Sequence, residues 1–321
     1  MRYIGNKSKL LNFIEQTVRD TCSNLDNKIF CDIFAGSGTV SAHFKPLVKT
    51  VISNDMEKYS NVLCTNILSS ISEEIADRII TELNALSPIA SRFTNDFSPV
   101  GSRSFFTEDN AKKIDAIRLK IEELPDNEKV FALACLLETA DSLANTTGVY
   151  GAFLKKFDKK SKQDLILKKI LPPSGNEGIA YCEDANKLIK KIKGDILYMD
   201  PPYNSRQYGS NYHILNYLVD YNSYSFKESS KTGIGDYNKS NFCSKKSALS
   251  SFEDIIANAN FNYIFVSYNN EGIIKPSDFK EVMTKYGEYS FVTNNHKRYK
   301  SNNRNEQKTE VSEYIHILRK K

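Results

Sequence analysis

The chain has 321 residues, 40% of them hydrophobic, and its 44 Lys and Arg against 39 Asp and Glu leave a formal net charge of +5. That is enough apolar sequence for a sizeable core in one large domain or two, and the mild basic excess permits nucleic-acid binding without demanding it. No stretch is apolar and long enough to span a membrane, Met1 to Lys7 form no signal-peptide core, and the six cysteines and four histidines are dispersed with no Cys-x-x-Cys pair. These features argue against a membrane protein, a disulfide frame or a metal site, and for a reduced cytoplasmic protein.

In chain order, Ser8 to Val18 is predicted helical, with Leu10, Leu11, Ile14 and Val18 on one side. Lys28 to Asp32 reads as a first strand. It runs into Ile33-Phe34-Ala35-Gly36-Ser37-Gly38-Thr39-Val40, a glycine loop that opens a helix through His43. Glycines at such a turn let backbone approach a ligand, or serve geometry alone. The spacing fits neither the three-glycine dinucleotide pattern nor a P-loop. Thr50 to Asp55 reads as a second strand. Asp55 falls roughly 20 residues past the glycine loop, where doubly wound folds place a ribose-binding carboxylate; the alternative is a cap on the helix over 56–67, and the order Gly36, Gly38, Asp55 favours the ribose role.

Residues 71–177 break the strand–helix rhythm. Helices are predicted over 72–86, 108–124 and 127–144, followed by a polar loop at 145–151. Lys155, Lys156, Lys159, Lys160, Lys162, Lys168 and Lys169 then either meet a phosphate backbone or line a solvated helical face. The rhythm resumes with a short strand at 178–182 that ends in Glu183-Asp184, a helix over 185–192, and the apolar run Ile196-Leu197-Tyr198-Met199. Asp184 could accept from an adenine amino group or cap the helix after it.

That apolar run ends in Asp200-Pro201-Pro202-Tyr203. The prolines stop the strand, so an acid, rigid carbonyls and an aromatic ring are presented at its carboxyl end. A carboxylate and a backbone carbonyl can each accept one N–H of an exocyclic base amine. That favours a more pyramidal nitrogen with a free lone pair, while the Tyr203 ring stacks on the base. A plain strand-ending turn is the alternative. Residues 204–250 are polar and rich in tyrosine, with Ser229 to Lys246 predicted mobile: a lid, a DNA-facing loop or a surface excursion. Strands at 262–268, 289–292 and 312–318 and a helix over 276–286 complete the chain. A basic run from His296 to Lys308 could face DNA or be a solvated hairpin loop.

Arg2-Tyr3-Ile4-Gly5-Asn6-Lys7, Asp32 to Gly38, Asp55 and Asp200 to Tyr203, in this order, resemble the Dam-like, alpha-arrangement DNA adenine-N6 methyltransferases, including those of type II restriction–modification systems. The resemblance covers nearly the whole chain. It implies a doubly wound α/β, Rossmann-like S-adenosylmethionine-dependent sheet with a helical insert. Residues 1–70 and 178–321 would form the catalytic domain, and 71–177 the target-recognition region. It also implies cofactor contacts from Tyr3, Lys7, Phe34, Gly36, Gly38, Asp55 and Asp184, with Lys7 near the cofactor carboxylate. Asp200, Pro201 and Pro202 would hold the amino group, and Tyr203 the flipped base. The implied partners are double-stranded DNA and a cognate restriction endonuclease. Another amino-methyltransferase, acting on cytosine N4 or an RNA base, is the first alternative; an inactive DNA-binding relative is the second. Ser or Asn often replaces the first Asp for cytosine or glutamine targets, so Asp200 leans toward adenine.

Overall fold

A computed structural model gives the architecture and describes residues 1, 3–297 and 310–321. In chain order the elements are α1 (Leu11–Cys22), β1 (Ile29–Asp32), α2 (Thr39–Phe44), β2 (Thr50–Asn54), α3 (Lys58–Leu68), α4 (Glu73–Ala85), α5 (Arg92–Phe97), α6 (Glu108–Ile121) and α7 (Asp126–Leu143). After a long irregular stretch come β3 (Ile179–Tyr181), α8 (Ala185–Leu188), β4 (Lys193–Met199), α9 (Tyr208–Asn211), α10 (His213–Val219), α11 (Ala248–Asn258), β5 (Asn260–Asn269), α12 (Pro276–Thr284), β6 (Gly287–Lys297) and β7 (Glu310–Lys320).

The seven strands form one sheet in the order β3-β2-β1-β4-β5-β7-β6. β1 to β5 pair in parallel, whereas β7 runs antiparallel to both β5 and β6. Central parallel strands are covered on both faces, which is why they read as unbroken apolar runs. Side chains still alternate. Phe30, Ile196, Tyr198 and Phe265 pack with α1 and α2, while Cys31, Leu197, Met199, Ile264 and Val266 pack with α8, α11 and α12. This is the doubly wound α/β fold. Strand order reverses between β1 and β4, so a crevice opens at their carboxyl ends.

A second core lies among the helices α4 to α7, and it extends beyond 71–177. Tyr59 and Leu63 of α3 join it, as do Tyr212, Tyr217 and Tyr221, all at most 4% exposed. The tyrosines at 212, 217 and 221 are therefore core, whereas much of 229–246 is exposed. Residues 221–235 are tied down as well. Arg92 donates to the Tyr221 and Tyr224 carbonyls at 2.8 and 2.7 Å, and Arg103 to the Ser230 and Glu228 carbonyls at 2.9 and 3.3 Å. The lysine-bearing stretch 155–169 is irregular and not a helical face. Lys169 pairs with Glu73 and Asp77, whereas Lys155, Lys156, Lys159, Lys162 and Lys168 are exposed. Most of the basic run from His296 to Lys308 lies outside the described residues.

Candidate active site

The crevice between β1 and β4 is a cavity, and the N-terminal arm closes one side of it. Two tyrosines hold that arm: the Ile4 N–H donates to Tyr212 Oη at 2.8 Å, and Tyr208 Oη donates to the Ile4 carbonyl at 3.2 Å. The Tyr3 ring lies nearly parallel to Tyr212, 5.0 Å between centroids. Its other neighbour is the glycine loop. Gly36 has φ +53°, and a Cβ there would sit 2.6 Å from the Tyr3 ring. Glycine at 36 thus lets arm and loop touch.

Of the site residues expected from sequence, Tyr3, Lys7, Phe34, Gly36, Asp55, Asp184, Asp200 and Pro202 line this cavity. Gly38 does not; its bare α-carbon, at φ +73°, makes room for Ile67 and Cys64 of α3. Pro201 and Tyr203 lie beside the lining residues. The Tyr203 ring stands edge-on to Tyr268 at 6.3 Å, with Lys7 Nζ 5.9 Å from its centroid. Asp55 accepts the Gly36 N–H and the Glu57 N–H, both at 2.9 Å, which locks the loop and the start of α3 to one carboxylate. Each oxygen keeps a further lone pair for a ligand hydroxyl. Asp184 caps α8, accepting the Lys187 N–H at 3.2 Å, and also lines the cavity.

Asp200 ends β4, with 17% of its side chain exposed. Lys7 Nζ lies 2.8 Å from its Oδ1, a close ion pair. Burial pushes the Asp200 carboxyl up and Lys7 pulls it back, leaving it at about 6. Burial also works against the Lys7 ammonium, but Asp200 and Glu313 outweigh it and hold Lys7 well above its ordinary value.

Three contributors were given no role from the sequence, although Asp32 opens the Asp32 to Gly38 motif. Asp32 is 1% exposed; Ser41 Oγ donates to its Oδ2 at 2.9 Å, and its Oδ1 has no partner among the described residues. Burial pushes its carboxyl to about 7. Glu57, also buried, is pushed to about 7 and accepts from Asn216 of α10. Phe242, from the loop before α11, meets Phe34 edge-on at 5.0 Å. Position alone marks Asp32, as the last residue of the strand feeding the glycine loop; no local signal marks the other two.

The cavity is strongly acidic. Asp32, Asp55, Glu57, Glu183, Asp184 and Asp200 line it, with Lys7 as the one cation among the described residues. Such a donor set fits a ligand that is itself cationic yet carries one carboxylate, and the orphaned Asp32 oxygen awaits a donor. S-adenosylmethionine, with its sulfonium and ammonium charges, has that chemistry.

Residues 3–282 match the family described as D12 class N6 adenine-specific DNA methyltransferase. Type II methyltransferase M.NlaIII of Neisseria lactamica is 42% identical, over all of this chain and 99% of its own length. Type II methyltransferase M.CviAII of Paramecium bursaria Chlorella virus 1 is 36% identical over 93% of this chain and 92% of its own. Type II methyltransferase M.FokI of Planomicrobium okeanokoites is 36% identical over the whole chain, which spans 53% of that larger protein. No described helix is long and apolar enough to cross a membrane. On a match of this extent, and on relatives of this identity and coverage, the chain belongs to the D12 class N6 adenine-specific DNA methyltransferases.

Proposed function

We propose that the protein methylates adenine N6 at a specific site in double-stranded DNA, as the modification enzyme of a type II restriction–modification system with a partner endonuclease acting on the same site. The observation that carries this reading is the end of β4. There a partly exposed carboxylate, Asp200, opens into the same acidic cavity as the glycine loop and Asp55.

S-adenosylmethionine bound in that cavity supplies the electrophilic methyl group. Asp55 would hold the ribose hydroxyls, Asp184 the cofactor's adenine ring and Asp32 the ammonium, with Tyr3, Phe34 and Gly36 forming walls; Lys7, already paired with Asp200 and Glu313, would lie near the carboxylate with its remaining donor. Gly38 shapes the loop from behind. On the substrate side, Asp200 and the Pro201 or Pro202 carbonyl accept the two amino hydrogens, and Tyr203 stacks on the base. The adenine must leave the duplex to arrive there, at a cost of a few kcal/mol that stacking and hydrogen bonding recover. Catalysis is then positioning plus withdrawal of the nitrogen lone pair from the ring. We assign residues 1–70 and 178–321 to the catalytic unit and 71–177 to target recognition, with 208–226 packed into the latter.

The test is transfer of labelled methyl to mixed-sequence duplex DNA, followed by separation of the nucleosides. Label in N6-methyladenine supports the reading; label in N4-methylcytosine overturns the target base. Asp200→Asn keeps the shape but supplies one acceptor and an unwanted donor. Its single-turnover rate falls about 100-fold or more while cofactor binding persists. A near-normal rate in that variant removes Asp200 from the mechanism.

A further inference from the structure

Glu313 lies on β7, far in sequence from every motif of the site. Its Oε1 is 3.2 Å from Lys7 Nζ and accepts the Ser267 hydroxyl of β5 at 2.7 Å. The ammonium therefore sits between two carboxylates, Asp200 and Glu313, and all three side chains are at most 17% exposed. With one positive and two negative charges, the cluster keeps a net negative charge facing the cavity.

Building on the assignment of Asp200 as acceptor of the target amino group, we propose that Glu313 is a positioning residue for methyl transfer: it anchors Lys7 from the β7 side, so that Lys7 orients Asp200 without neutralising it.

A lysine is a flexible stem carrying a point charge, and one partner does not fix where it sits. Here the second partner is itself fixed by Ser267, so the ends of β4, β5 and β7 triangulate the ammonium. The charge matters as much as the place. A lone ammonium beside Asp200 would spend the carboxylate's basicity on the ion pair; sharing it with Glu313 leaves Asp200 a stronger acceptor. Glu313 adds to the upward push on Asp200, against the downward pull of Lys7. The other groups facing Asp200 are Asp32 on β1 and the hydroxyls of Tyr198, Tyr203, Tyr208 and Tyr268. They are common to every Glu313 variant, so differences between variants isolate Glu313.

The experiment follows the Asp200 carboxyl directly, by 13C titration of the cofactor-free protein, with its signal assigned by loss in Asp200→Asn. It is paired with pH profiles of single-turnover transfer. In Glu313→Gln, which still accepts from Ser267, Asp200 titrates lower by roughly half a pH unit or more, and the acid limb of the rate follows it. The plateau rate falls about 10-fold or more. Glu313→Asp, which keeps the charge but withdraws it, shows smaller changes in the same direction and serves as the test if the Gln variant misfolds. An Asp200 titration unmoved in the folded variants overturns the proposal, even if the rate drops, because a merely structural glutamate would give that pattern. A fully active Asp200→Asn would instead sink the assignment of Asp200 beneath it, a failure visible independently of the Glu313 titrations.

Discussion

A carboxyl group buried without a matching cation opposes folding whenever it is ionised. Asp32 and Glu57 are in this position: their carboxyls titrate at about 7 against ordinary values of 3.8 and 4.5, with burial as the leading cause. Because these values are raised in the folded state, the native protein binds protons that the unfolded chain has already released. Stability therefore falls as pH rises from about 4 through about 7. The share of Asp32 and Glu57 favours a higher unfolding temperature at pH 5.5 than at pH 8, against the opposite pull of His213 and His316, whose pKa values burial lowers. Asp32→Asn should shrink that share and stabilise the protein at pH 8 by on the order of 1 kcal/mol, while weakening binding of S-adenosylmethionine. A calorimetric scan at the two pH values and a cofactor titration check both halves. An Asp32→Asn protein that is less stable at pH 8 yet binds cofactor normally would make Asp32 a structural residue. Oδ1, without a partner among the described residues, is the oxygen left for the ammonium that Asp32 is proposed to hold.

Elements whose logic is local were legible in the sequence; those held by distant partners were not. The central strands announce themselves because burial on both faces demands unbroken apolar runs. The glycine loop, Asp55 and Asp200 follow from where such strands end. α5 gives no such signal. The N–H groups at its start go to Asp115 of α6, which accepts from Ser91, Phe93 and Thr94 at 2.8 to 2.9 Å, a cap invisible until the chain has folded. The same holds for α10 and its flanks, where Tyr212, Tyr217 and Tyr221 carry no local sign of burial. Their hydroxyls find the Ile4 N–H, Asp96 and Asp115, each more than 100 residues away. Glu313 escaped notice for the same reason. The loop after α10 shows this dependence in testable form. Arg103 holds its Glu228 and Ser230 carbonyls, and its guanidinium lies 4.7 Å from the Phe226 ring. Arg103→Ala should cost about 1–2 kcal/mol and raise amide exchange across residues 226–235, leaving exchange in β1 and β4 unchanged. Uniform exchange throughout the molecule would show that the loop unfolds only with the whole.

Across the molecule, charge is unevenly placed. Among the described residues the cavity gathers six acids around one lysine, while the irregular stretch after α7 exposes Lys155, Lys156, Lys159 and Lys162. Replacing those four with alanine should weaken DNA binding. It should also flatten the plot of log affinity against log salt by about 0.9 for each lysine that meets a phosphate. An unchanged slope returns the stretch to a solvated surface. The arm that carries Lys7 and the strand that carries Glu313 reach Asp200 from opposite ends of the sequence. During translation the glycine loop and the Asp-Pro-Pro-Tyr segment emerge well before β7, so a ribosome stalled ahead of Glu313 holds every recognisable motif without a completed charge cluster. Nonsense or frameshift lesions late in the reading frame should therefore abolish methylation as thoroughly as early ones.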